Sequence, residues 1–152
     1  MPNHKETKIL PYAAKQMFDL VMDIEKYPQF LPWCANAKIT DKISDRNLHA
    51  DLIISFKGIK QKYSSDVRYW QDENGPFFVS VVAIDGIFKS LVNSWSFEDV
   101  KNDAGAGCKV EFFIDFEFKS KILGKMIGLV FASATKKMIA SFQKRAENCF
   151  SK

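Results

Sequence analysis

The sequence predicts an α+β fold in which a curved antiparallel sheet of about seven strands wraps around a long C-terminal helix. Three observations lead to this prediction. Residues 34–119 alternate between apolar and polar side chains, and turn residues divide them into about six strands. The connections between these strands are short, as antiparallel neighbours require. The last element is a helical pattern of about 28 residues, Lys121 to Asn148, long enough to lie across the whole sheet.

The chain begins with a predicted strand, His4–Leu10, and Pro11 separates it from a helix that runs from about Ala13 to Asp23. Within this helix, apolar side chains recur at three- and four-residue spacing and form one stripe for packing: Met17, Phe18, Leu20, Val21 and Ile24. The string YPQFLPWC, residues 27–34, then combines two prolines with large apolar side chains. It predicts a short helical turn followed by a bend.

The strand pattern is clearest from Cys108 to Phe118, where every second side chain is apolar and the others are mostly charged. Residues 48–56 repeat this alternation, Lys57-Gly58 forms a turn, and residues 59–69 return as the second strand of a hairpin. Two further strands are predicted around Phe77 to Ile84 and Lys89 to Val100.

The predicted C-terminal helix is about 42 Å long at about 1.5 Å per residue. A wide apolar stripe follows one side of it and consists of Leu123, Met126, Ile127, Val130, Phe131, Ala134, Met138 and Phe142. The opposite side carries Lys121, Lys125 and Lys136. A helix of this length and amphipathicity fits the concave face of a curved sheet.

The composition of the chain predicts a single-domain protein that does not span a membrane. The 152 residues are 47% hydrophobic, which predicts one domain, residues 1–152, with a substantial core. No apolar stretch approaches the roughly 20 residues that cross a bilayer, and the first residues lack the apolar segment of a secretory signal. We therefore expect a cytoplasmic protein.

Neither a disulfide framework nor a metal site is expected. Cys34, Cys108 and Cys149 are widely spaced and never form a CxxC pair, so reduced thiols are predicted. His4 and His49 are the only histidines, and no zinc or calcium motif is present.

Charge is unevenly distributed along the chain, whose net charge is +4. Residues 119–152 hold eight basic side chains against the single carboxylate of Glu147, a net charge of +7, and the remaining residues sum to −3. This end of the chain suits an anionic partner, either phospholipid headgroups or nucleic acid, although a solvated helix face explains the lysines equally well. No RNP, KH or OB signature supports nucleic acid.

Two apolar side chains, Ile122 and Leu129, fall outside the predicted packing stripe and close to Lys121, Lys125 and Lys136. Exposed apolar groups among lysines are typical of a helix that lies on a membrane surface.

No pattern predicts an enzyme, since GxSxG, P-loop and GxGxxG motifs are absent from the sequence. An apolar cavity between the sheet and the helix is a better candidate site. Asn93 shares the inward phase of Leu91 and Trp95, where its amide either holds a ligand carbonyl or ties adjacent backbone.

Five segments together resemble a known family: YPQFLPWC (27–34), FKG (56–58), LVNSWSF (91–97), residues 113–118, and the pairs Lys137-Met138 and Arg145-Ala146. The chain resembles the coenzyme Q-binding proteins of the START-like superfamily. Bacterial members of that family are also called RatA, a ribosome-association toxin, and the wider group is known as polyketide cyclase/dehydrase. The resemblance runs nearly end to end, and YPQFLPWC is its most specific part.

The resemblance implies a helix-grip fold, an apolar cavity, and binding of ubiquinone or a related isoprenoid lipid by a carrier or chaperone that supports respiratory electron transport. Ubiquinone is then a ligand, and no other cofactor is expected. Such a protein would lie peripherally on the inner face of the cytoplasmic membrane. By the same resemblance, one end of the cavity is shaped by Tyr27, Phe30, Leu31, Pro32 and Trp33.

We extend this to a hypothesis for the ligand. The isoprenoid tail lies among Phe112, Ile114, Phe116, Val130 and Phe131, and the headgroup lies at Asn93 near Trp95.

Two alternatives remain open. A RatA-like toxin would bind the large ribosomal subunit through the basic helix, with Lys121, Lys125, Leu129 and Lys136 as contacts, and would block subunit association. A cyclase or aromatase would need an acid-base pair inside the cavity, for which only Tyr63 and Asn93 are candidates.

Overall fold

The computed structural model describes residues 3–102 and 105–150. Seven strands are present: β1 (Asn3–Leu10), β2 (Cys34–Ser44), β3 (Asn47–Phe56), β4 (Ile59–Gln71), β5 (Phe77–Gly86), β6 (Phe88–Asn102) and β7 (Gly105–Phe118). The helices are α1 (Ala14–Met22), α2 (Lys121–Lys136) and α3 (Met138–Phe150), and a 3-10 helix spans Ile24–Gln29. The short turn predicted for residues 27–34 thus begins at Ile24.

The seven strands form one antiparallel sheet in the order β1-β7-β6-β5-β4-β3-β2. This confirms the predicted fold class and strand number. Each strand from β2 to β7 pairs with its neighbour in sequence, whereas β1 makes a distant pairing, along its own full length, with residues 108–115 of β7. The predicted hairpin is present, and both of its turn residues, Lys57 and Gly58, have positive φ angles.

The C-terminal helix is interrupted, which corrects the prediction of a single helix from Lys121 to Asn148. α2 ends at Lys136, and Lys137 leaves helical geometry with φ −103° and ψ 8° before α3 begins. Just before this break, the buried Thr135 hydroxyl donates a hydrogen bond to the Ala132 carbonyl over 2.8 Å. Such bonding of a threonine to the preceding turn favours a bend, and no glycine or proline marks the position.

One face of the sheet packs against the helices and forms the core. Its largest fully buried side chains are five phenylalanines: Phe97, Phe112, Phe116, Phe131 and Phe142. α1 contributes Met17, Leu20 and Val21, as its apolar stripe predicts. In α2 the buried residues are Ile127, Phe131 and Thr135, whereas Met126, which the predicted stripe includes, is exposed.

β4 and β5 approach each other closely at Gly86, which pairs with Tyr63. Gly86 has φ +109°, and a Cβ atom placed there would lie 2.6 Å from the Tyr63 Cα atom. Only glycine tolerates both the backbone angle and the contact. This glycine therefore fixes the position of Tyr63 on the inner face of the sheet.

Within residues 3–102 and 105–150, no helix combines the length and apolarity that a membrane span needs. Over the same residues, His, Cys, Asp and Glu side chains form no group of three that could hold a metal ion. The three cysteines are free, with Cys34 and Cys108 buried and Cys149 exposed.

Candidate ligand-binding site

A cavity of about 60 Å³ lies between the inner face of the sheet and the helices. Its walls come from α1, the 3-10 helix, the segment after it, strands β3 to β7, and both C-terminal helices. Among the residues that the structure describes, no lysine, arginine, histidine, aspartate or glutamate lines it. The lining consists of Val21, Ile24, Tyr27, Leu31, Trp33, Leu52, Tyr63, Ser65, Val67, Val79, Val81, Leu91, Asn93, Trp95, Ile114, Phe131 and Met138. The site is therefore suited to an uncharged, largely apolar molecule.

The structure brings seven of the twelve predicted cavity residues together around this space: Tyr27, Leu31, Trp33, Asn93, Trp95, Ile114 and Phe131. Pro32 and Val130 lie instead on an external groove. Phe112 and Phe116 are fully buried and face other rings, with Phe112 centred 4.6 Å from Trp95 and Phe116 4.9 Å from Phe131. They fill the core and do not line the cavity.

Phe30 does not line the cavity either: it is half-buried and packs edge-on against Phe142, with ring centres 5.0 Å apart. The Arg145 guanidinium sits 5.1 Å from the centre of the Phe30 ring and donates a hydrogen bond to the Gln29 side chain over 2.8 Å. These contacts join α3 to the segment that closes one end of the cavity.

Four hydroxyl or amide side chains line the cavity: Tyr27, Tyr63, Ser65 and Asn93. The Tyr27 hydroxyl donates to the Val21 carbonyl, and the Ser65 hydroxyl donates to the Ala50 carbonyl over 3.3 Å. The Asn93 amide donates to the Phe113 carbonyl over 2.9 Å, so it ties adjacent backbone, which is one of the two roles the sequence allows.

The candidate groups for acid-base catalysis in and beside the cavity have unsuitable pKa values. Burial raises the pKa of Tyr63 further above neutrality, and the nearby Cys34 thiol adds to the shift. Burial also raises the pKa of Cys34 to about 11. A group with a pKa so far from neutral transfers protons poorly, and Asn93 does not titrate. The pair that the sequence offers for a cyclase thus lacks a suitable base.

The external groove has a volume of about 460 Å³ and runs along the junction of α2 and α3. Pro32, Phe56, Leu129, Val130 and Lys137 are among its lining residues. Trp33 belongs to the walls of both the groove and the cavity. Its side chain is 9% exposed and packs edge-on against Phe131 with ring centres 5.6 Å apart. The indole therefore separates the interior space from the surface.

The outward face of α2 carries large exposed apolar side chains. Ile122, Met126 and Leu129 are 70%, 49% and 84% exposed, and their spacing places them on one side of the helix. The predicted contact residues Lys121, Lys125 and Lys136 are exposed as well. This face combines apolar and cationic groups, as the sequence predicts.

Sequence reasoning missed most of the cavity walls on β3, β4 and β5, including Leu52, Val67, Val79 and Val81. Each lies on the inward phase of a strand, and this alternation was the available signal. Alternation identifies the inner face of a strand but not the part of it that neighbouring side chains leave uncovered.

The fold and this cavity define a helix-grip protein with an internal apolar site. Residues 10–143 match the family described as polyketide cyclase / dehydrase and lipid transport. The chain belongs to this family, which confirms the START-like relationship expected from the sequence.

Two relatives by sequence and one by structure illustrate the range of the family. The chain is 44% identical to a ribosome association toxin RatA from Rickettsia prowazekii, over 97% of both chains. It is 32% identical to a mitochondrial coenzyme Q-binding protein COQ10 from Dictyostelium discoideum, over 95% of this chain and 68% of that protein. Neither name denotes an enzyme. A START superfamily protein from Mycobacterium smegmatis has the same fold, with a TM-score of 0.72 and 18% identity over 97% of this chain and 98% of that one.

Proposed function

We propose that this chain binds ubiquinone or a related isoprenoid lipid and acts as a carrier or chaperone in respiratory electron transport. The observation that carries the proposal is the internal cavity, whose lining is largely apolar and holds no charged side chain among the described residues. A charged headgroup would lose its hydration there without gaining a counter-charge, which is costly, whereas a neutral quinone ring would not. The relative named as a coenzyme Q-binding protein supports this choice.

The volume of the cavity implies that its wall moves when the ligand enters. About 60 Å³ is well below the roughly 150 Å³ of an engineered cavity that binds benzene, so the space is too small for a substituted quinone ring. Trp33 is the wall residue next to the larger external groove. Displacement of its indole would join the two spaces, with the ring inside and the isoprenoid tail along the groove beside Val130.

Val81 offers a direct test because its side chain lines the cavity, while the next residue on β5, Val82, is 42% exposed on the other face. In Val81→Phe the new ring occupies the cavity. In Val82→Phe the same change is made outside it. We expect at least a tenfold loss of affinity for a short-chain ubiquinone in Val81→Phe and no change in Val82→Phe.

Affinity is measured by calorimetry and by quenching of tryptophan fluorescence, and circular dichroism verifies that both variants fold. Organic extraction and mass spectrometry of the natively purified proteins show whether a quinone copurifies with the wild type and is lost in Val81→Phe. Equal affinity of all three proteins would refute cavity binding.

We further propose that the outward face of α2 contacts the inner surface of the cytoplasmic membrane from the cytoplasm. Ile122, Met126 and Leu129 supply the apolar contact, and the neighbouring lysines attract anionic headgroups. Leu129→Glu should reduce cosedimentation with vesicles that contain anionic lipid. Ile43→Glu is the matched control, since Ile43 is 51% exposed on β2. If cosedimentation with the vesicles falls equally in both variants, or in neither, the outward face of α2 is not the membrane contact.

A second candidate function is association with the large ribosomal subunit and a block of subunit joining. The relative named as a ribosome association toxin and the exposed lysines of α2 favour it. Binding through lysines weakens steeply with salt and should be insensitive to Val81→Phe. Cosedimentation with purified large subunits at increasing salt tests this, with Lys121→Gln and Lys125→Gln expected to weaken it. No cosedimentation at low salt would exclude this candidate.

A further inference from the structure

The hydroxyl of Tyr63 stands apart from the other polar groups of the cavity. Tyr63 is 6% exposed, and its ring lies edge-on to Phe88 with centres 5.0 Å apart. Of the four hydroxyl and amide side chains in the lining, Tyr63 alone forms no hydrogen bond within residues 3–102 and 105–150. Among the described residues, only Asp115 Oδ1 is both fully enclosed and without a hydrogen-bond partner, so the Tyr63 oxygen still borders accessible space, from which it can donate a hydrogen bond to a ligand.

We propose that the Tyr63 hydroxyl donates a hydrogen bond to a carbonyl oxygen of the bound quinone ring, and that it thereby selects an uncharged, carbonyl-bearing headgroup over an anionic lipid. This inference rests on the proposed function. It moves the headgroup contact from Asn93, where one amide N–H group already donates to the Phe113 carbonyl, to Tyr63.

The chemistry of the site makes Tyr63 a donor. Burial, and to a lesser extent the neighbouring Cys34, raises the pKa of its hydroxyl, which remains protonated at neutral pH. A phenol in this state can donate to a neutral carbonyl oxygen. Over the described part of the chain, the lining holds no cationic side chain that could balance a carboxylate or phosphate at the same place.

The position of the hydroxyl is also fixed in advance. Gly86 lies directly across from Tyr63 on β5, where its missing Cβ lets the two backbones meet, and Phe88 packs against the ring. A donor held by its surroundings loses little freedom when the ligand arrives.

Tyr63→Phe removes the hydroxyl and keeps the ring. Tyr69→Phe is the matched control, because Tyr69 is on the same face of the same strand but does not line the cavity. Two probes are titrated calorimetrically into the folded full-length chain: a ubiquinone with a short isoprenoid tail, and an alkylbenzene of equal tail length that lacks carbonyl groups. Tyr63→Phe should bind the quinone about fivefold more weakly, equivalent to about 1 kcal/mol, and should bind the alkylbenzene as the wild type does. Tyr69→Phe should match the wild type with both probes.

The outcomes separate the two proposals. If the wild type binds the quinone and Tyr63→Phe binds it with the same affinity, the proposed hydrogen bond is wrong, whereas the proposed function stands. An equal loss of both probes in Tyr63→Phe also overturns it, because cavity shape would then be responsible. A wild-type chain that does not bind the quinone overturns the proposed function and this inference with it.

Discussion

Replacement of Gly86 by alanine should destabilise the protein much more than the same change at Gly58, although both glycines have positive φ angles. At Gly58, φ is +82° and no atom lies within 4 Å of the position that a Cβ would take, so the cost is that of the backbone angle alone, about 1 kcal/mol. Gly58→Ala therefore measures the conformational penalty in isolation.

At Gly86, the backbone penalty is combined with a collision. A Cβ atom would lie 2.6 Å from the Tyr63 Cα and 2.9 Å from the Tyr63 Cβ, and backbone cannot rotate away as a flexible side chain can. β4 and β5 must separate locally, and ladder hydrogen bonds worth about 0.5–1.5 kcal/mol each are weakened. With about 1–3 kcal/mol for the strained backbone, we expect a total loss of at least about 3 kcal/mol.

Urea unfolding followed by circular dichroism gives both free energies of unfolding. For a chain of this length, each kcal/mol of lost stability lowers the Tm by about 2–4 °C. The Tm should therefore fall by about 6–12 °C or more in Gly86→Ala and by about 2–4 °C in Gly58→Ala. If the two variants lose equal stability, the close approach of β4 and β5 at Gly86 is not a constraint on this fold, and Gly86 does not position Tyr63.

Two further predictions concern the core and the pH dependence of stability. Phe131→Ala should cost about 3–5 kcal/mol in urea unfolding because the ring is buried, whereas Met126→Ala should stay within about 0.5 kcal/mol because Met126 is exposed. An equal loss of stability in the two variants would show that Met126 packs in the core as Phe131 does. Burial raises the pKa of Asp66, but hydrogen bonds from Asn47 and Arg68 outweigh it and hold that pKa below the usual 3.8. The folded state then binds this proton less readily than the unfolded chain does, so Asp66 adds stability above about pH 4 that disappears as pH falls through its folded value. The difference in unfolding free energy between wild type and Asp66→Asn should therefore shrink from pH 7 toward about pH 3, and a constant difference would contradict this.

Much of the fold was predictable from local patterns. The alternation from Cys108 to Phe118 predicts β7, because a strand with one buried face requires a period of two, and Lys57-Gly58 supplies the turn between β3 and β4. The amphipathic stripe of α1 and the exposed positions of Ile122 and Leu129 follow from helical periodicity in the same way. These features depend on residues close together in the chain.

The helix break at Lys137 could not be predicted in this way. Residues 121–148 keep a continuous helical pattern, and no proline or glycine interrupts it near residue 137. The break accompanies the burial of Thr135 and the hydrogen bond of its hydroxyl to the preceding turn, which depends on what packs against that side of α2. The same packing leaves Met126 in solvent.

The sequence by itself determined which side chains face the inside of the sheet, since pleating sends alternate residues to opposite faces. Tertiary structure alone decided which of them border empty space. Phe112 and Phe116 share the inward phase of Ile114, yet both are enclosed by other rings, while Ile114 borders the cavity. A void arises where rings from distant segments fail to meet, and such distances are set by the packing of the whole molecule. For the same reason, only the folded structure shows that the hydroxyl of Tyr63 forms no hydrogen bond with any residue in 3–102 or 105–150.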